Sequence, residues 1–132
     1  MAGINWWAVL AAAVASFLLG GPWYSKALFL NAWQREAGDS RGPGADKHPA
    51  RVFGLAFLFS LVAAACFAIV LGPHSALSTA LGYGLLAGAG MVAASFGINY
   101  QFANRSLTLW LIDGGYHAVQ FLLFGLVLGL WH

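Results

Sequence analysis

Four residues near the end of the chain carry side chains that can exchange protons or hydrogen bonds: Asp113, Tyr116, His117 and Gln120. Residues three, four and seven apart are neighbours on an α-helix, so positions 113, 117 and 120 share one face. The stretch that carries them, Leu107–Trp131, is otherwise apolar and long enough to cross a bilayer. A carboxylate, an imidazole and an amide in line are expensive to bury in hydrocarbon, which makes the stripe a candidate functional site.

Two kinds of chemistry fit it. A buried Asp beside a His that titrates near neutrality suits proton or ion handling, or a ligand pocket opening to the cytoplasm. Alternatively, Asp113, Tyr116, His117 and Gln120 form a satisfied hydrogen-bond network that joins helices or protomers. With about 1.5 Å of rise per residue, Asp113 lies roughly 9 Å and His117 roughly 15 Å in from Leu107. Ser60 lies roughly 13 Å in from Arg51. Ser16 and Ser95 fall in the same half of the membrane, so the polar groups are expected to converge from all four helices. Arg51 and Arg105, near the boundary, are the expected countercharges for Asp113.

Other chemistry is thin. There is no Gly-rich phosphate loop, HExxH, nucleophile elbow or paired-carboxylate arrangement. His74 and His132 lack acidic or Cys partners, so no metal site and no cofactor is expected. The single cysteine, Cys66, rules out an intrachain disulfide and a Cys cluster, and reads as a small buried apolar side chain. No basic patch is interleaved with aromatics, so nucleic acid is not an expected partner. An enzyme is the least favoured class.

The elements that must position the stripe follow from composition. Only 8% of the 132 residues are charged and 61% are hydrophobic, with a mean hydropathy of +0.76. Soluble domains carry about 25% charged residues. Four segments are long and apolar enough to span: Ile4–Gly21, Arg51–Leu71, Ala76–Ile98 and Leu107–Trp131. The first lacks the positive flank of a signal peptide and reads as a retained helix. The fold class is therefore an all-α integral membrane protein, one four-helix domain. Between the first two helices, Lys26–Ala37 sets Leu28, Phe29, Ala32 and Trp33 against Lys26, Gln34 and Arg35, which predicts a short interfacial helix. A Gly/Pro-rich polar loop follows, from Gly38 to Pro49.

Four crossings put both termini and the loop between the second and third helices on one side. All six basic residues, Lys26, Arg35, Arg41, Lys47, Arg51 and Arg105, fall on the other. Basic residues stay with the cytoplasm, which predicts both termini outside. Lys26, Arg35, Arg51 and Arg105 are then candidates for contact with lipid headgroups. Trp6, Trp7 and Trp131 would form an outer aromatic belt, and Trp23, Tyr24, Tyr100 and Trp110 an inner one.

Small residues carry helix association in lipid. They recur every fourth position as Ala8, Ala12, Ser16 and Gly20, as Ala56, Ser60, Ala64 and Ala68, and as Ala80, Gly84 and Gly88. The third helix shows a second such row, Ala89, Ala93 and Gly97, and the fourth has Gly125 and Gly129. The spare row on the third helix predicts a neighbouring protomer and hence a homo-oligomer, with membrane lipids as the other expected partner. Ala15-Ser16-Phe17 and Ala94-Ser95-Phe96 form a faint internal echo, either a duplicated helix pair or a chance match.

Asn5-Trp6-x-Ala8-Val9, Gly20-x-x-Trp23-Tyr24-Ser25, Leu28-Phe29 and Asp113-x-Gly115-Tyr116-His117 together resemble a bacterial family catalogued as domain of unknown function 1761. The resemblance covers essentially the whole chain. It implies a small four-helix protein of the bacterial inner membrane, with Trp23, Tyr24, Ser25, Asp113, Tyr116 and His117 as signature positions. It brings no activity, substrate or catalytic residue. The residues themselves leave a binding or transport protein on one hand and a non-catalytic structural subunit on the other.

Overall fold

The computed structural model describes residues 3–45 and 48–132. The described residues form helices and no strands: α1 (Trp6–Trp23), α2 (Leu30–Ala37), α3 (Pro49–Leu71), α4 (Leu77–Leu85), a π-helical segment (Leu86–Ala93), α5 (Ala94–Phe102) and α6 (Leu107–Leu130). The segment from Leu77 to Phe102 is continuous, so four helices are long and apolar enough to cross a membrane.

Their ends are set by local chemistry. Asn5 accepts from the Ala8 N–H and Ser106 from the Leu109 N–H, each capping a helix start. At the start of α3, the His48 ring nitrogen accepts from the Ala50 N–H, and Pro49 takes the first turn, where its missing N–H costs nothing. α1 runs two residues past its expected end because Pro22 is tolerated in its last turn. The amphipathic helix is shorter than expected, beginning at Leu30 rather than Lys26. Residues 24–29 are held in turns, with the Phe29 N–H donating to the Trp23 carbonyl and the Leu30 N–H to that of Ser25. The Ser25 hydroxyl donates to the Pro22 carbonyl at 2.7 Å, which closes the turn that carries Trp23-Tyr24-Ser25.

In space the long helices follow the order second, first, fourth, third, with α6 packed against both the first and the third. α6 lies at the centre because its Gly114, Gly125 and Gly129 let the third long helix approach closely, while on its other side the small residues belong to α1. Ala8, Ala12, Ala13 and Ser16 of α1, with Ala64 of α3, are fully buried and let the backbones approach closely.

The third helix departs from expectation in an instructive way. Its two small-residue rows are one row. Ala80 packs at Gly125, Gly84 at Phe121, Gly88 at Ala118, Ala93 at Gly114, and Gly97 against the Trp110 ring. The spacing runs four, four, five, four, and the step of five falls in the π-helical segment. A π-turn closes with i→i+5 bonds and absorbs one extra residue. It therefore keeps Ala93 and Gly97 on the face that Ala80, Gly84 and Gly88 began. Ala89, expected in a second row, is exposed. Ala93 and Gly97, expected to face a second protomer, are thus turned inward onto α6.

Gly3 meets Pro73, and His74 meets His132 at 3.2 Å between Nδ1 atoms, so the termini and the loop between the second and third long helices share one end. The exposed Trp6, Trp7 and Trp131 gather there. The opposite end holds α2 and the basic residues Lys26, Arg35, Arg41, Arg51 and Arg105; Lys47 lies outside the described residues. Cys66 is on the surface of α3 rather than buried.

Candidate functional site

The polar stripe of α6 divides into two halves with different surroundings. Asp113 makes no ion pair with Arg51 or Arg105 among the described residues. Its carboxylate instead takes the Tyr24 hydroxyl on Oδ1 at 2.7 Å and the Tyr100 hydroxyl on Oδ2 at 2.5 Å. One tyrosine comes from the end of α1 and the other from α5, so Asp113 ties three elements together. The countercharge expectation fails because phenol hydroxyls on long, rigid side chains reach a depth that the exposed arginines do not occupy. Arg105 turns to the Ala37 carbonyl at 3.3 Å, and Arg35 pairs with Glu36 at 3.0 Å. Lys26 and Arg51 are exposed at the same end.

The aromatic residues around it are fasteners rather than a belt. The Trp23 indole N–H donates to the Ile112 carbonyl at 2.9 Å, and that of Trp110 to the Ala93 carbonyl at 2.7 Å. Both accepting carbonyls belong to helices, and the second lies at the end of the π-helical segment. Tyr116 donates to the Ser16 carbonyl at 2.9 Å and packs its ring near Trp23 and Tyr24.

His117 and Gln120 form the second half. His117 Nδ1 lies 2.7 Å from Gln120 Oε1, Gln120 Nε2 lies 3.4 Å from Ser16 Oγ, and Ser16 donates to the Ala13 carbonyl at 3.0 Å. The donors run in one direction along this chain. An amide oxygen can only accept, so the proton of a neutral imidazole is assigned to Nδ1, leaving an acceptor lone pair at Nε2. No described residue bonds to Nε2, and the atom is not sealed in the interior. The ring is braced edge-on by Phe96 at 4.8 Å and Tyr116 at 5.0 Å.

His117 Nε2 is left to a cavity of about 720 Å³ that lies between the first, second and fourth long helices and reaches the third at Val92. Its walls are mostly apolar: Phe17, Val52, Phe53, Ala56, Phe59 and Phe121. Tyr24, Ser60, Tyr116, His117 and Gln120 supply the polar part, and Pro43 and Gly44 close its basic end. Ser60 is 8% exposed, and its hydroxyl likewise bonds to no described residue. Ligand sites are commonly cavities of about 300–1,000 Å³, apolar with a few placed polar groups.

The structure thus brings Tyr116, His117, Gln120 and Ser60 to the cavity, buries Ser16 behind Gln120, and sets Asp113 to one side. Ser95 does not join them; it is exposed on the far side of its helix, while the neighbouring Phe96 supplies the contact to His117. Ser16 and Ser95, the matched positions of the internal echo, therefore have unlike surroundings. Tyr100 reads in the sequence as a membrane anchor and in the structure as a partner of Asp113. A tight reversal between α5 and α6 brings positions 100 and 113 level, and that register was the available signal. Among the described residues no group of three or more His, Cys, Asp or Glu side chains is placed to hold a metal ion.

These features define a small all-helical protein with four helices able to cross a membrane and a polar cluster inside the bundle. The chain belongs to the family described as Protein of unknown function (DUF1761), whose model matches residues 7–129. No curated protein and no solved structure matches it.

Proposed function

We propose that this is a binding or transport protein of the bacterial inner membrane, with both termini outside, whose ligand occupies the cavity beside His117. One observation carries the reading: His117 Nε2 and the Ser60 hydroxyl face this cavity without a partner among the described residues, whereas the other polar groups of the stripe are bonded. Polar groups kept at such depth are costly unless something uses them. The orientation rests on the described basic residues lying at one end.

A second role belongs to Asp113. Its two tyrosine partners engage both carboxylate oxygens, which favours a fastening rather than a transported charge. The stripe then combines both candidate roles, structural at Asp113 and ligand-facing at His117.

Native mass spectrometry of the protein released from membranes tests the cavity. The wild type should retain a small-molecule adduct, and Ala56→Trp, which places an indole in the cavity, should lose it while melting normally. An identical adduct on both proteins would overturn the reading.

A further inference from the structure

The walls and polar groups of this cavity define what would fill it. His117 Nε2 presents a lone pair, because its Nδ1–H is committed to Gln120 Oε1. The Ser60 hydroxyl can donate or accept. A hydroxyl answers both, donating to the imidazole and accepting from the serine. The surroundings are hydrocarbon and phenyl, and no Lys or Arg among the described residues lines the cavity to hold an anionic head.

The route in is equally specific. α3 packs against α1, the third long helix packs on the other side of α6, and the cavity lining reaches from Phe59 of α3 across to Val92 of the third long helix. Phe59 is 68% exposed, on the surface that the four-helix reading gives to lipid. Counted from Arg51 it lies roughly 12 Å in, at the depth of acyl chains rather than headgroups.

We infer that the cavity takes a lipid-soluble alcohol or phenol, entering sideways from the bilayer between Phe59 and Val92 and donating its hydroxyl to His117 Nε2. This rests on the binding reading above and narrows it to one chemical class. A hydrogen bond made in such a site discriminates sharply, since the analogue without the hydroxyl proton leaves a buried acceptor unpaired.

The test uses the full chain in lipid nanodiscs with tritiated 4-octylphenol as the probe, and 4-octylanisole and 4-octylbenzoate as competitors of matched size. Saturable phenol binding is expected, with the anisole about tenfold weaker as a competitor. His117→Ala should remove the preference for phenol over anisole, and Ala56→Trp should remove binding altogether. If His117→Ala does not melt as a folded protein, His117→Phe, which keeps a ring and removes the acceptor, reads the same preference. Equal competition by phenol and anisole, with binding still lost in Ala56→Trp, would overturn the hydroxyl inference and leave the cavity reading standing. Benzoate as the strongest competitor would do the same. Phenol uptake unchanged by Ala56→Trp would show simple partition into lipid and overturn both.

Discussion

The Tyr24 hydroxyl donates to Asp113 Oδ1 across 2.7 Å, fastening the turn after the first helix to the middle of the fourth. Tyr100 completes the arrangement on the other carboxylate oxygen. Removing either phenol hydroxyl leaves part of the carboxylate unpaired at depth. Tyr24→Phe and Tyr100→Phe should each cost about 1–3 kcal/mol. Asp113→Ala, which strands both hydroxyls, should be worse than Asp113→Asn, which keeps one acceptor. Thermal melting in detergent orders the four variants, and an Asp113→Ala protein as stable as wild type would contradict the fastening role.

Close approach between the third and fourth long helices depends on missing side chains. A Cβ on Gly125 would collide with the Ala80 carbonyl oxygen, and one on Gly84 would meet that of Phe121 at 2.5 Å. Gly125→Ala and Gly84→Ala should each destabilise by about 1–3 kcal/mol or more, because backbone cannot step aside. Gly54→Ala, where nothing lies within 4 Å, is the matched control. It should be neutral or gain about 0.5–1 kcal/mol from helix propensity. Equal losses at all three sites would remove the packing argument.

The π-helical segment yields an unusual expectation. Deleting Ala89, exposed within Leu86–Ala93, takes out the extra residue and restores a plain α-helical repeat, keeping Ala80, Gly84, Gly88, Ala93 and Gly97 on one face. Deleting Gly82, equally exposed but in ordinary α-helix, turns everything beyond it by about 100° and carries Ala93 and Gly97 off α6. The first deletion should give a folded protein and the second should not. Comparing monodisperse yield and melting of the two decides it.

The docking of α2 should depend on pH. The Ser106 hydroxyl, and after it the neighbouring Arg35, hold the Glu36 carboxyl below the usual carboxylate range. A carboxyl lowered in the folded state contributes stability that is present above its unfolded value, about 4.3, and lost as pH falls through the folded one. Amide hydrogens of Leu30–Ala37 should therefore exchange faster, relative to α6, on acidification below that range. Glu36→Gln should flatten this dependence. The Arg105 bond to the Ala37 carbonyl does not titrate and should keep part of the contact in place.

The number and approximate extent of the membrane-length helices were legible in the sequence because they rest on local properties. Apolar runs of bilayer length give four spans. Residues four apart give the ridges at Ala8, Ala12 and Ser16 and at Ser60, Ala64 and Ala68, all buried. The clustering of basic residues at one end follows from counting them. The polar residues of α6 are equally plain, since nothing else in an apolar span looks like Asp113 or His117.

Which polar group bonds to which was decided by tertiary structure alone. The partners of Asp113 lie 89 and 13 residues away, and Ser16 is 104 residues from Gln120, so no local pattern links them. The extra residue in the π-helical segment leaves no mark in composition. Only packing against α6 shows that two small-residue rows are one, and only the same packing turns His117 to a cavity and Asp113 to a pair of tyrosines. One helix face supplied the stripe, and the neighbours on either side of it divided it into a fastening and a candidate binding wall.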